Sequence, residues 1–260
     1  MPDHWHNTSH SGSLFAIDIS HTDTTSSIFQ ESVPAMKSNG RLKRLLQGAR
    51  HFRERVFPIR KSQFEALAKG QNPVALFITC ADSRISPEMI THAEPGDLFV
   101  CRNIGNIVPQ YGDMLGGVSA VIEYAVTALK VDTIIICGHS DCGAMKALRD
   151  PEAKELDSMP TVRNWLSNAL EARDMVHEHH GHLEGDHYTQ ALVEQNVLLQ
   201  MKHLRSHPAV AAGIEKGKLQ IYGWVYGIED GRIEVFDHGT TRFIPIEKLS
   251  ARFSGRNYRI

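Results

Sequence analysis

Short apolar runs separated by polar turns organise this chain. Val74-Ala-Leu-Phe-Ile-Thr79, bounded by Pro73 and Cys80, predicts a strand buried on both faces. Asp97-Leu-Phe-Val-Cys-Arg102 and Thr133-Ile-Ile-Ile-Cys137 repeat that pattern. Between them, Val118, Val121, Ile122, Ala125 and Leu129 recur at helical spacing and predict an amphipathic helix. Strand–helix–strand alternation with two-sided burial argues for an α/β fold, a mostly parallel central sheet flanked by helices.

Upstream, Leu42, Leu45, Leu46, Ala49, Phe52 and Val56 mark a helix beginning near Arg41, with a basic opposite face carrying Lys43, Arg44 and Arg53. Ser38-Asn39 can cap it, and Pro58 is expected to close it. A short helix from about Ser62 to Lys69 should end at Gly70. Downstream, Pro160 to about His177 and Tyr188 to Ser206 read as helices. Leu219–Trp224 and Arg232–Asp237 read as strands, with Asp230-Gly231 a hairpin turn between them. Residues 1–37, rich in Ser, Thr, His and Asp, show no sustained period and read as a mobile polar extension, leaving 38–260 as a single α/β domain.

Composition narrows the function classes. A 260-residue chain that is 42% hydrophobic can bury a full core. Its net charge of −2 supplies no basic field for nucleic acid. No apolar run approaches the ~20 residues of a membrane span, and no secretory signal is evident. Cys80, Cys101, Cys137 and Cys142 all lie in or beside apolar runs, which suits reduced thiols in a cytoplasmic protein.

Chemistry concentrates at strand ends. Cys80-Ala-Asp-Ser-Arg84 follows one apolar run and Gly138-His-Ser-Asp-Cys-Gly143 follows another. In parallel sheets, ligand sites gather beyond the carboxyl ends of strands, where Cys80 and His139 both fall. Two thiolates and an imidazole suit a Zn2+ ion that keeps a fourth position open, as catalytic sites do. If Cys142 opens a helix, the dipole should favour its thiolate. Cys101 and Cys137 read as core thiols, although Cys137, two residues before His139, can replace Cys142 in a Cys-x-His pair. Asp82 has two readings: a fourth metal ligand, or a carboxylate paired with Arg84 that leaves the position to water. The second suits catalysis, because an Arg-held carboxylate can orient a zinc-bound hydroxide, and switching Asp82 between ion and Arg84 makes a gate. The tract His177-Glu-His-His-Gly-His182, with His187, and the cluster His4, His6, His10 read as solvated surface segments.

Cys80-Ala-Asp-Ser-Arg84, Arg102-Asn-Ile-Gly-Asn106, Glu123-Tyr124 and Gly138-His-Ser-Asp-Cys-Gly143, in that order, resemble the motif series of the β-class carbonic anhydrases from about Leu42 to Phe236. The resemblance implies one Zn2+ per chain on Cys80, His139 and Cys142, and an Asp82–Arg84 catalytic dyad. It also implies substrate contacts from Gln71, Phe99, Tyr124 and Gly143. It implies reversible hydration of carbon dioxide to bicarbonate and a homodimer or higher homo-oligomer, in which Phe99 and Tyr124 can serve the neighbouring subunit's ion. One sub-group of that family carries a second, inhibitory bicarbonate site, with Trp three residues before the first ligand and Gly just before it. Phe77 and Thr79 stand there, so this chain is expected to lack that site. Two rivals use the same ligands: action on carbonyl sulfide or carbon disulfide, and a structural zinc protein with Asp82 as permanent ligand. A cysteine phosphatase is excluded, since no Cys is followed six residues later by Arg in a Gly-rich cradle.

Overall fold

The computed structural model describes residues 40–113 and 116–253. The extension 1–37 and the cap at Ser38-Asn39 therefore lie outside the described residues. The chain divides into two compact units, 1–64 and 65–260.

In the first unit, helix α1 (Gly40–His51) runs into a π-turn at Phe52–Val56 and then α2 (Phe57–Ile59). Pro58 does not end the helix as expected. The Phe57 amide bonds back to the Phe52 carbonyl, and this five-residue step takes up the turn in which proline supplies no N–H. Phe52, Phe57 and Phe64 pack ring on ring, with centroids 5.4–6.3 Å apart. No side chain of α1 is buried, and Leu45 and Leu46 of its apolar stripe stand exposed. Helix α3 (Lys61–Leu67) leads into the second unit.

That unit is built on a six-stranded sheet. Its elements follow as β1 (Ala75–Cys80), α4 (Pro87–Thr91), β2 (Leu98–Asn103), α5 (Gly117–Thr127), β3 (Thr133–His139) and α6 (Gly143–Arg149). Then come α7 (Pro160–Leu166), α8 (Leu170–His180), α9 (Gly185–Leu204), α10 (Pro208–Glu215), β4 (Gln220–Tyr226), β5 (Ile233–Asp237), β6 (Arg242–Pro245) and α11 (Ile246–Phe253). The strand order is β2-β1-β3-β4-β5-β6, parallel through β4 and antiparallel beyond it. The predicted sheet is thus observed, with an added edge strand, β6, too short to stand out as a period.

Burial on both faces explains the apolar runs. All six residues of β1 are buried. Leu76, Ile78, Ile134 and Ile136 face one core with Leu192, Val193 and Val197 of α9, while Phe77, Ile135 and Cys137 face the other with Trp224. Each such side chain contributes about 1.5–3 kcal/mol by leaving water. Gly138 lets α9 close on β3, since a Cβ there would lie 2.9 Å from Val197 and 3.0 Å from Val193.

The helix expected from Pro160 to His177 is interrupted. Ser167 Oγ donates to the Asn164 carbonyl at 2.6 Å and Asn168 Nδ2 to the Trp165 carbonyl at 2.9 Å. Short polar side chains here compete for main-chain acceptors, and a 3-10 turn at Ser167–Ala169 separates α7 from α8. The β4–β5 connection is wider than the two residues Asp230-Gly231: Gly227 N–H bonds the Arg232 carbonyl at 2.9 Å, closing the loop outside them. No described helix is long and apolar enough to cross a membrane.

Candidate metal centre and active site

Parallel pairing assembles the site. Thr79 of β1 lies opposite Cys137 of β3, so the residues that follow, Cys80 and Gly138-His139, emerge together at the carboxyl edge. Thr79 Oγ donates to the Cys137 carbonyl at 2.9 Å and fastens this register. After His139 the chain makes a tight excursion. The Ser140 amide bonds the Tyr226 carbonyl at 2.9 Å, and Ser140 Oγ donates to Glu229 and accepts the Ile228 amide at 2.7 and 2.9 Å. Asp141 takes the left-handed conformation (φ +56), and Cys142 caps α6.

The donors of Cys80, His139 and Cys142 lie within 4.8 Å of one another, the only such His/Cys/Asp/Glu group among the described residues. All three residues are buried, His139 and Cys142 completely. His139 Nδ1 bonds the Ser140 carbonyl at 2.8 Å, which fixes the proton on that nitrogen and leaves a lone pair on Nε2. Nε2 is buried without a hydrogen-bond partner. An orphaned buried acceptor costs about 1–3 kcal/mol, a cost that a bound cation removes. Two thiols and an imidazole lone pair, dry and convergent, fit a Zn2+ ion.

The two sulfurs are tightly coupled. The Cys80 thiol is pulled down, chiefly by its hydrogen bond with Cys142, against burial, and further by His139 and the Gly105 amide. That amide lies 3.4 Å from Cys80 Sγ. The Cys142 thiol is pushed up by the neighbouring Cys80 sulfur and by burial. At the α6 N-terminus the Ala144 and Met145 amides pull the Cys142 thiol down, the direction expected of a helix N-terminus, against the Cys80 sulfur and burial. Cys137 is fully enclosed, pushed up to about 12 by burial, and stands outside the group.

Asp82 sits on Arg84. Arg84 Nε reaches Asp82 Oδ1 at 3.0 Å and Nη2 reaches Oδ2 at 2.8 Å, a two-pronged grip that holds the Asp82 carboxyl well below the usual range. Of the two readings of Asp82, this structure displays the one paired with Arg84. Arg102 secures the loop beneath by donating to the carbonyls of Cys80 (3.1 Å) and Asp82 (2.6 Å).

The other sequence candidates disperse within one chain. Gly143 follows Cys142 directly, and a Cβ there would meet open space. Phe99 and Tyr124 pack together, centroids 5.9 Å apart, with Tyr124 half exposed. Phe99 pairs with Leu76, however, four positions before Cys80 on the strand and so about 13 Å away along it. Gln71 is exposed ahead of β1, beyond the opposite end from Cys80. His177, His179, His180, His182 and His187 are exposed and form no metal group; His4, His6 and His10 lie outside the described residues.

Several contributors were missed in the sequence. Gly105, at φ +76, turns its amide to Cys80 Sγ while Asn196 Nδ2 holds its carbonyl at 3.0 Å. Trp165 Nε1 bonds the adjacent Ile104 carbonyl at 2.8 Å. Asp141 is a second carboxylate on Arg84, at 2.7 Å. The glycine in Arg102-Asn-Ile-Gly-Asn106 and the acidic residue between two ligands were the available signals.

These features describe an α/β protein with a metal-ligating centre at the carboxyl edge of its parallel strands. Comparison with known proteins agrees. The carbonic anhydrase family model matches residues 75–233. A carbonic anhydrase of Pseudomonas aeruginosa is 48% identical over 202 residues, covering 78% of this chain and 90% of its own. Carbonic anhydrase 1 of Escherichia coli O157:H7 is 47% identical over 205 residues, covering 79% and 92%. Among solved structures, the β-carbonic anhydrase CcaA superposes with a TM-score of 0.78 at 41% identity, covering 79% of this chain and 92% of its own. The chain belongs to the carbonic anhydrase family, in its β class, and is an enzyme of carbon dioxide hydration.

Proposed function

We propose that this enzyme interconverts carbon dioxide with bicarbonate and a proton, using one Zn2+ held by Cys80, His139 and Cys142 and a gate formed by Asp82 and Arg84. The observation that carries this reading is the buried, unpartnered Nε2 of His139, converging with two thiols beside an arginine-held carboxylate. Zinc bound there would bring the pKa of a water towards ~7 and so supply a nucleophile at neutral pH.

The chain's own residues do the rest. The Ser140 carbonyl fixes the His139 tautomer, and the Gly105 amide stabilises charge on Cys80. Arg84 keeps Asp82 ionised and paired with itself, outside the group of three donors; released, Asp82 would be able to supply a fourth ligand to a bound ion. A carboxylate held ionised in that place can accept a hydrogen bond from the attacking oxygen and orient its lone pair.

An apolar wall of Phe99 and Tyr124 suits carbon dioxide, and the Gln71 amide and the open Gly143 position suit bicarbonate. The ~13 Å between Phe99 and the donors along the strand supports their service at the neighbouring subunit's site. A homodimer is then the smallest complete unit. One of two β-carbonic anhydrases of Sordaria macrospora described as tetrameric is similar at 29% identity with a TM-score of 0.68. Phe77 stacks edge-on against Trp224 at 6.0 Å and Thr79 is bonded to Cys137, which supports the absence of a second bicarbonate site. Four free, buried cysteines suit a cytoplasmic enzyme.

Stopped-flow carbon dioxide hydration on zinc-quantified protein, from roughly pH 6.5 to 9, tests this reading. Turnover rising with pH at one zinc per chain, with no steep cooperativity and no strong non-competitive bicarbonate inhibition, is expected. Full zinc with no turnover at any pH would overturn it, and activity on carbonyl sulfide would then redirect the assignment.

A further inference from the structure

Arg84 serves two carboxylates. Beyond its grip on Asp82, Nη1 reaches Asp141 Oδ2 at 2.7 Å and Nη2 reaches the Asp141 main-chain carbonyl at 3.1 Å. The second Asp141 oxygen accepts Lys146 Nζ from α6. Asp141 lies between His139 and Cys142, in the left-handed conformation. A guanidinium held on one edge can still rotate about that contact. One held on both edges has its plane fixed. The loop bearing Asp82 and the turn bearing two of the metal donors, 57 residues apart in sequence, are thus joined through this one side chain.

We infer that Asp141 is a positioning residue for the Asp82 gate: by fixing the Arg84 guanidinium it holds Asp82 away from the metal-ligand group, and Lys146 moderates that hold by drawing on the same carboxylate. The inference rests on the reading of Asp82 and Arg84 as a gate. It adds a third and a fourth residue that set how readily the gate swings. Arg84 is thus drawn from both sides, by Asp82 and by Asp141. The Asp141 and Arg84 side chains are half exposed, so the effect is one of balance and not of large energy.

Azide binding to the cobalt(II)-substituted holoenzyme, followed by visible absorption at fixed pH, reads the competition for the fourth position. Asp141→Asn is the variant to use, since asparagine tolerates the left-handed turn and preserves the fold. Freed from its second anchor, Arg84 should hold Asp82 less firmly, and azide should bind roughly two- to fivefold more weakly, the range an exposed pair supplies. Lys146→Met should shift azide affinity the other way. In an Asp82→Asn background, where azide binds more tightly than in wild type, adding Asp141→Asn should no longer weaken it. A simple loss of negative charge near the metal predicts tighter azide binding in both backgrounds. That result, or weakening of equal size in both, would overturn the proposal for Asp141 alone. Azide affinity unchanged by Asp82→Asn itself would overturn the gate, and this inference with it.

Discussion

Replacing Gly105 by alanine should loosen the metal centre from behind. The residue sits at φ +76, where an L side chain costs about 1–2 kcal/mol. Its new Cβ would meet Ala144 Cβ at 3.0 Å and Met145 Cε at 3.1 Å. The methionine tip can swing aside, but Ala144 belongs to the first turn of α6 and moves only with Cys142. Overpacking of this kind adds about 1–3 kcal/mol, while the stiffer unfolded chain returns about 0.4–1. The net loss is about 1–5 kcal/mol, or a fall of several degrees in midpoint at about 2–4 °C per kcal/mol for a chain this long. Displacing the turn also stretches the 3.4 Å contact from the Gly105 amide to Cys80 Sγ, so zinc should leave faster. Thermal unfolding of the zinc-free protein at fixed concentration, paired with zinc release to a chelator, measures both effects. A wild-type midpoint together with wild-type release would refute this account of Gly105.

Other outcomes follow from the same geometry. Cys142→Ala or His139→Ala should abolish stoichiometric zinc binding, whereas Cys137→Ala should retain it; zinc analysis of purified protein checks this, and loss in Cys137→Ala would reassign the ligands. Asp82→Asn should keep zinc and lower turnover by about 10- to 100-fold, the usual effect of removing a group that supports a metal site; wild-type turnover would remove Asp82 from the mechanism. Buried His207, whose ring is pushed down by desolvation, takes up a proton less readily in the folded than in the unfolded state, so folding stability should fall as pH drops below the unfolded value of about 6.5. His207→Gln should flatten that slope in denaturant melts between pH 5 and 7, and an unchanged slope would show that His207 does not contribute.

The sheet was legible because two-sided burial writes itself as unbroken apolar runs, as in Val74–Thr79 and Thr133–Cys137. The metal group was legible because Cys80, His139 and Cys142 are chemically distinctive and follow such runs directly. What escaped depends on through-space partners. Asp141 reads as an ordinary polar residue until Arg84 arrives from 57 positions away. Gly105 reads as a turn glycine until Cys80 and Asn196 are placed on either side of its peptide. The break at Ser167–Ala169 needed the carbonyls that Ser167 and Asn168 reach, and the π-turn before Pro58 needed helical backbone to persist through proline. Phe99 and Tyr124 illustrate a different limit. Their pairing is visible in one chain, but the site they are proposed to line is not.

The parallel register of β1 and β3 has a kinetic consequence. Thr79 and Cys137, joined across 58 residues, meet only when the long loop carrying α4, β2 and α5 closes. Closing a loop of that length carries its entropy cost before any contact repays it, so such pairings come late in folding. The metal donors are therefore among the last groups to converge. A collapsed but unpaired chain can offer an ion two neighbouring ligands from the His139–Cys142 turn, never all three. Tight metal retention would then certify that the central crossover had closed, and a slow phase in zinc capture during refolding would time that event.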